Sequence, residues 1–364
     1  MTSSKRANII GIGLIGGSIG LGLRQRGWHV SAYDSNPQRL KLAVETKVVD
    51  AAVEAGNLDA SAEITFVATD VGAIPAAVSQ ALRETTGLVT DAGSVKAPVL
   101  SAVTDTSSKR FSRFVGGHPM AGSEQEGLEG SRADMFDGAI WVLTPSEETD
   151  DSAYLGVHSV VASLGAEVVT MSPQRHDELV ALISHVPHLT AATLMCLADE
   201  RSEQRQQLQR LAAGGFRDMT RIAASHPGIW PDICIQNQAA ICEGLDRLTH
   251  ALSEIRQAVA SGDRTQLLEH LRQARTARLN LPGTVSTTED LLELRVVIPD
   301  RPGEIARLTT MASELQANIH DLEIAHSPEG ERGVLVMLLN SQDAQHLHAH
   351  LQETDYITTL REVE

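Results

Sequence analysis

Apolar residues along this chain fall into three successive patterns. Through residues 7–172, short continuous apolar runs alternate with stretches whose apolar positions recur every three or four residues. The runs Ala7–Ile10, His29–Tyr33, Ile64–Ala68, Leu88–Thr90, Phe114–Gly116, Ile140–Leu143 and Glu167–Thr170 predict strands. Between them, Gly16–Arg26, Pro37–Val44, Ile74–Arg83, Lys96–Val103 and Ser152–Leu164 predict helices. Continuously apolar strands separated by helices predict a doubly wound α/β domain, a parallel sheet covered on both faces, over residues 1–172. Beyond Ser172 the strand signal stops. Residues 173–282 read as an all-helical domain, with Pro173 and Pro231 in first-turn positions and Leu281-Pro282-Gly283 as a stop. A small, polar run, Gly283-Thr284-Val285-Ser286-Thr287-Thr288, suits a linker. Residues 289–364 then alternate strand (Leu291–Ile298), helix (Gly303–Leu315), strand (Ile319–Ala325), strand (Gly333–Leu339), helix (Ala344–Glu353) and a closing strand. That order is βαββαβ, a ferredoxin-like unit.

Composition narrows the partners. The 364 residues suffice for two or three domains with a sizeable core. Acidic residues outnumber basic ones, 47 to 30, for a net charge of −17. This argues against nucleic acid and anionic membranes as partners, because both require a basic footprint. An anionic small molecule stays possible, since local Arg and His can reverse the field inside a cleft. Three cysteines, Cys196, Cys234 and Cys242, form no C-x-x-C pair, which fits a reduced, cytoplasmic protein with buried thiols and no zinc. Met1–Arg6 is short and polar and leads straight into a strand, so no signal peptide is expected. Leu179–Ala198 lacks acidic and basic residues and has the length of a membrane span. It holds His185, Pro187 and His188 between charged flanks, so a buried helix of a soluble core is expected instead.

The first strand runs into Gly11-Ile12-Gly13-Leu14-Ile15-Gly16-Gly17-Ser18 and then a helix. This is G-x-G-x-x-G in its structural context. The first glycine permits the turn, the second admits a pyrophosphate, and the third lets helix meet strand. Gly11, Gly13, Leu14, Ile15 and Gly16 are therefore the predicted phosphate cradle at a helix N-terminus. Thr69, just past the strand ending at Ala68, borders the same loop. The second strand ends before Asp34, whose carboxylate can hold a ribose 2′-hydroxyl and repel a 2′-phosphate. NAD is thus favoured over NADP, although Arg39 nearby can tolerate a phosphate.

Ligands of such a sheet bind beyond the C-terminal ends of its strands. Asp91-Ala92-Gly93-Ser94-Val95-Lys96 follows one strand and His118-Pro119-Met120-Ala121-Gly122-Ser123-Glu124 follows the next. Topology brings Ser94 and His118 toward the nicotinamide, where a histidine can take a hydroxyl proton as hydride leaves the same carbon. The plainer alternative is a histidine capping a loop before Pro119. His185 and His188 are three apart and share a helix face, but no carboxylate or cysteine nearby completes a metal set. Gly214-Gly215-Phe216-Arg217-Asp218-Met219-Thr220-Arg221, followed by Trp230, suits a carboxylate clamp, since Arg binds carboxylates in a bidentate way. For Arg217 a solvated helix position is the competing reading.

These motifs, in this order and spacing, resemble the prephenate/arogenate dehydrogenase family over about residues 7 to 280. The C-terminal part resembles an ACT domain, with Asp300-Arg301-Pro302-Gly303 between its first strand and helix. The resemblance implies a Rossmann domain, a helical domain that builds a homodimer, and an active site in the cleft between them. It implies oxidation of prephenate, or of its amino analogue arogenate, by NAD with loss of carbon dioxide. His118 matches the catalytic histidine, Ser94 the serine beside it, and Arg221 the arginine that grips a substrate carboxylate. His188 and Glu124 match pocket residues, Glu124 governing access, with Arg217 and Trp230 also on the substrate side. In the ACT-like part, Gly303 and Asn318 are the expected effector positions, with tyrosine as the candidate effector. One departure is visible: relatives read Thr-Pro where this chain reads Thr69-Asp70.

Two rival readings fit the residues less well. A β-hydroxyacid dehydrogenase would place a catalytic lysine in the helical domain, yet residues 173–280 contain no lysine. A dinucleotide sensor without turnover has no need of Ser94, His118 and Arg221 together.

Overall fold

In the computed structural model the N-terminal apolar runs become β1 (Arg6–Ile10), β2 (His29–Tyr33), β3 (Ala51–Ala52), β4 (Ile64–Val67), β5 (Leu88–Asp91), β6 (Phe114–Pro119), β7 (Ile140–Thr144) and β8 (Glu167–Thr170). The structure describes residues 5–104, 108–122, 125, 127–199, 214–280, 291–299, 301–326, 332–354 and 356–362. The eight strands form one sheet in the order β3-β2-β1-β4-β5-β6-β7-β8. The two-residue β3 is too short to leave a sequence signal. Strands β1 to β6 are parallel, whereas β6 and β7 pair antiparallel. This corrects the expectation of an all-parallel sheet. Among the described residues, the connection from β6 to β7 holds only the single turn Leu128–Gly130 and no crossover helix, so the chain returns in the opposite direction.

Among the described residues the helices of this part are α1 (Leu14–Gln25), α2 (Pro37–Glu45), α3 (Ile74–Glu84), α4 (Ala97–Thr104) and α5 (Asp151–Ser163), with one further helical turn at Ser108–Phe111. Asn36 caps α2, its side-chain oxygen accepting from the N–H groups of Gln38 and Arg39, with Pro37 in the first turn. Phe66, Phe136 and Trp141 meet at centroid distances of 6.3 Å and 4.9 Å under one face. Burying rings of this size is the main favourable contribution to such a core.

The helical segment follows the sequence pattern. Ser172 caps α6 (Pro173–Val180), which continues through a π-turn at Ala181–His185 into α7 (Val186–Asp199). Then come α8 (Gly214–Thr220), the tight turns Arg221–Ala224 and Pro227–Ile229, α9 (Trp230–Gln236), α10 (Gln238–Ser261) and α11 (Arg264–Leu279). Among the described residues, Pro173–Asp199 is the one helix long and apolar enough to cross a membrane. Its His176, Asp177 and His185 are buried and hydrogen-bonded inside the protein, as a core-building helix requires. The helix is not buried all round, however. Leu182, Ile183 and Leu197 are half or more exposed in the single chain. Cys196 and Cys242 are exposed for the same reason, on outward faces of α7 and α10, so the expected burial of all three thiols is corrected; Cys234 is half-buried.

The chain divides into two compact units, Met1–His250 and Ala251–Glu364, with the division inside α10. The sheet and the helices up to His250 thus belong to one unit. The linker expected at 283–288 and the stop at 281–283 lie outside the described residues. In the second unit, β9 (Leu291–Pro299), α12 (Glu304–Glu314), β10 (Ile319–His326), β11 (Arg332–Asn340), α13 (Ser341–Glu353) and β12 (Ile357–Glu362) follow the expected βαββαβ order. The strands form an antiparallel sheet, β10-β11-β9-β12, whose alternate residues Leu294, Val296, Ile298, Leu335, Met337 and Leu339 are buried with Leu308, Leu347 and Leu351 of the helices.

Candidate active site

The strand order reverses between β1 and β4, and the crevice at that switch point is where the glycine loop lies. Gly11 has φ of 91°, a conformation that favours glycine. A Cβ on Gly16 would stand 1.9 Å from the Gly11 carbonyl oxygen, so only glycine lets α1 approach β1 this closely. A Cβ on Gly13 would meet nothing within 4 Å, which leaves the helix N-terminus open to a ligand. Asp34 is buried past the end of β2. It accepts the Ile12 N–H at 2.7 Å and the Asn36 N–H at 2.7 Å, and Arg39 reaches it at 3.3 Å. A dinucleotide fits these residues: phosphates at the open N-terminus of α1, ribose hydroxyls at Asp34 in place of the longer Arg39 contact.

A cavity of about 760 Å³ opens beyond β4, β5 and β6. Ile15, Thr69 and Asp70 line it on the cofactor-loop side, Ser94 and His118 at its floor, and His185, His226, Trp230 and Asp232 on the helical side. His118 sits on a strand and not in a loop. Antiparallel pairing with Val142 and Trp141 of β7 extends β6 through His118 and Pro119, two residues beyond the glycine pair where the predicted strand stops. The glycines before it are required by packing. A Cβ on Gly116 would lie 2.4 Å from Thr144 Oγ1, and one on Gly117 would lie 2.6 Å from the Asp91 carbonyl.

Behind His118 lies a buried polar network. Lys96 is ion-paired with Asp91, and its Nζ donates to the Gly117 carbonyl at 2.8 Å. Burial pushes the Lys96 ammonium pKa down, and the Asp91 charge opposes that shift. Asp91 also accepts the Gly93 N–H at 3.0 Å and the Gly117 N–H at 3.1 Å, tying β5 to β6 beside the histidine. His118 Nδ1 is 2.8 Å from His176 Nε2, and His176 Nδ1 is 2.7 Å from Asp177 Oδ1. Asn237 donates to the Asp177 carbonyl at 2.9 Å and lies 3.2 Å from His185 Nδ1. Burial holds the His118 pKa well below the ordinary histidine value, and His176, Lys96 and His185 add to the effect. Burial likewise pushes His185 down to about 4, against the opposing pull of Asp177. Both rings are therefore neutral at neutral pH, the form that can accept a proton.

The π-turn orients this wall. The Val186 N–H reaches back five residues to the Ala181 carbonyl, immediately before Pro187, which has no N–H to continue an α-helical ladder. His185 turns inward there. His188 stacks on Trp230 at 3.5 Å with rings 9° apart, and His185 meets the same ring edge-on at 6.1 Å. Trp230 belongs to the cavity wall, while its indole N–H is buried without a hydrogen-bond partner among the described residues.

The structure therefore gathers Ile15, Thr69, Ser94, His118 and Trp230 around one cavity, with Gly11, Gly13, Leu14, Gly16 and Asp34 in the adjoining loop. His188 supports Trp230 from outside the lining. Ser94 stands in the wall, and the hydrogen bond that fixes His118 comes from His176 instead. Arg217 and Arg221 are exposed and do not line the cavity. They lie on α8 and the turn after it, a segment whose buried residue is Thr220. Glu124 lies outside the described residues. In the second unit, Gly303 is the left-handed N-cap of α12 (φ 95°), and the Asn318 N–H donates to Asp343 at 3.0 Å. Arg301, Glu304, Arg307 and Tyr356 line a separate hollow of about 300 Å³ there. Sequence reading missed His176, Asp177 and Asn237. The available signal was an adjacent His-Asp pair at the start of a helix that is otherwise apolar inside.

Comparison with known proteins agrees with this layout. Residues 19–170 match the family model described as prephenate dehydrogenase, nucleotide-binding domain, and residues 172–273 match prephenate dehydrogenase, dimerization domain. The prephenate dehydrogenase of Bacillus subtilis (strain 168) is 31% identical over 346 residues, covering 92% of each chain. Among solved structures, prephenate dehydrogenase from A. aeolicus in complex with hydroxyphenyl propionate and NAD+ is 29% identical with a TM-score of 0.71, over 76% of this chain and 98% of that one. Synechocystis arogenate dehydrogenase is 29% identical with a TM-score of 0.67, over 75% of this chain and 98% of that one.

Proposed function

This chain belongs to the prephenate dehydrogenase family, and we propose that as an NAD-dependent dehydrogenase it converts prephenate to 4-hydroxyphenylpyruvate and carbon dioxide. The observation that carries this is His118: a neutral imidazole, anchored on a strand, at the floor of a cavity that also takes in Ile15 and Thr69 of the cofactor side.

NAD, when bound, supplies the hydride acceptor. The residues of Gly11–Gly16 hold its phosphates and Asp34 its ribose. His118 faces the ring hydroxyl of the substrate and takes its proton from oxygen as the carbon beneath is oxidised. Ser94, in the same wall, hydrogen-bonds the hydroxyl and keeps it on the imidazole. The helical wall, which includes Trp230, orients the ring. The nascent ring carbonyl is conjugated to the carbon that carries the carboxylate, so the carboxylate leaves as carbon dioxide and its electrons close the aromatic ring. The substrate is thus its own electron sink.

The family resemblance makes Arg221 the candidate grip for a substrate carboxylate, although in the single chain it is exposed and lies outside the cavity lining. Arg221→Ala is expected to raise the substrate KM by about 10–100-fold, the effect of losing a charge-assisted hydrogen bond of about 1.5–3 kcal/mol. An unchanged KM would remove Arg221 from the binding role. Arogenate is the second reading, supported by 29% identity to the arogenate dehydrogenase structure, the same as to the prephenate dehydrogenase structure. Parallel assays with both substrates decide between them.

The match to a dimerization domain, with the exposed apolar side chains of α7, supports a homodimer. The βαββαβ unit is read as an ACT domain that binds tyrosine. The 346-residue alignment to the B. subtilis relative is too long to stop at α11, which supports a shared C-terminal unit. Sedimentation at twice the chain mass, and tyrosine inhibition that disappears when residues 289–364 are removed, are the expected results. A single-chain mass, or inhibition that survives the deletion, would contradict the respective reading.

A further inference from the structure

We propose that His176 and Asp177 form a proton relay behind His118, which sets the tautomer of the base and receives the proton it accepts. The inference rests on the reading of His118 as the base.

Hydrogen-bond chemistry orders the chain of contacts. Asp177 accepts the Lys96 N–H through Oδ1 and the Ala97 N–H through Oδ2, each at 2.8 Å. An ionised carboxylate only accepts, so His176 must donate to it from Nδ1. Neutral His176 then has a bare Nε2, and the partner 2.8 Å away, His118 Nδ1, must carry the hydrogen. His118 Nε2 is left with its lone pair, the one arrangement in which it accepts a proton from the substrate.

The same contacts give the proton a destination. As the substrate O–H bond breaks, an N–H bond forms at His118 Nε2. The His118 Nδ1–H bond then breaks as a new N–H bond forms at His176 Nε2. His118 ends neutral with hydrogen on Nε2, and His176 ends as an imidazolium against the Asp177 carboxylate. When the carboxylate leaves, its electron pair reaches the ring oxygen, which takes the hydrogen from His118 Nε2 as the His176 Nε2–H returns to His118 Nδ1, so the product leaves as the phenol and the starting tautomers are restored.

The surroundings of His118 require such a partner. Lys96 approaches from the β5 side with its charge directed at Asp91, and His185 and the Asn237 amide approach from the helical side. These groups, with burial, disfavour a cation held on His118 alone. Asp177, hydrogen-bonded to His176 Nδ1, is the carboxylate placed to hold the charge of an imidazolium there. Neither His176 nor Asp177 lines the cavity, so they act as positioning residues and not as substrate contacts.

The test uses the full chain and His176→Gln, which keeps an acceptor for the His118 Nδ1–H but cannot take a proton. Single-turnover NADH formation in mixtures of light and heavy water is followed for both proteins. The expected wild-type rate curves with deuterium content, as two protons in flight require, and that of His176→Gln falls on a straight line. The variant's kcat drops by about 10–100-fold, less than loss of the base itself, with substrate and NAD KM within about twofold. Its acid limb also moves to lower pH, because the protonated dyad loses its Asp177-paired form. A straight wild-type line, or a variant with unchanged kcat and acid limb, overturns the relay. Nitrogen NMR of wild-type histidines reads the tautomers without turnover or mutation. Hydrogen on His118 Nδ1 and a bare Nε2 at neutral pH supports the relay, and the reverse overturns it. An enzyme that turns over neither substrate yet shows the expected tautomers would separate failure of the functional reading from failure of the relay.

Discussion

Replacing His118 with Asn is expected to lower kcat by about 10²–10⁴-fold, the usual loss when a general base is removed. Asn keeps a polar group of similar reach on the strand but has no lone pair basic enough to accept the hydroxyl proton. The strand pairing of β6 with β7 is made by backbone and survives the change. The cofactor loop lies on β1 and α1 and is untouched, so NAD binding is expected to stay within about twofold. Burial holds the His118 ring neutral, so its lone pair is free to accept the hydroxyl proton. Steady-state kinetics with NAD titration by fluorescence checks both halves. Near-normal kcat in this variant would remove His118 from the chemistry.

Gly16→Ala is expected to weaken NAD binding by at least about tenfold, or 1.4 kcal/mol, and to lower stability by about 1–3 kcal/mol. The added methyl would stand 1.9 Å from the Gly11 carbonyl oxygen and 3.3 Å from the Ala68 Cβ. The first neighbour is backbone, with no flexible side chain to move aside. The loop must open, which tilts α1 away from β1 and displaces the N–H groups that face the phosphates. Gly13→Ala provides the contrast. Its methyl meets nothing within 4 Å in the free protein, so stability is expected to hold while NAD binding falls, because that space is where a pyrophosphate approaches. Melting temperature and NAD affinity, measured together, separate the two effects. A Gly16→Ala protein with unchanged melting and affinity would contradict the loop geometry.

Much of this was legible in the chain because the forces concerned are local. Glycine spacing and the periodicity of α3 and α5 are each written within a dozen residues, and the βαββαβ order came from alternation alone. The antiparallel turn at β7 was not legible, because direction depends on whether the connection carries a helix, and 120–139 has a length that permits either. His118 read as a loop residue because two glycines suggest a strand end; pairing with β7 overrides that signal. His176 and Asp177 escaped because their partners are distant. His118 lies 58 residues away from His176, and the Lys96 N–H lies 81 residues away from Asp177. Arg221 and Arg217 carried a recognisable motif, but their exposure is set by which face of α8 meets the fold, and Thr220 takes that face. Leu179–Ala198 lacks acidic and basic residues and reads as buried, while its exposure depends on surfaces the single chain leaves open.

The most direct measurement is NADH formation by the purified protein with NAD and prephenate, run beside arogenate and beside NADP in place of NAD. The account predicts steady NADH production from prephenate with NAD, with carbon dioxide released in equal amount. Absence of turnover with both substrates would contradict it.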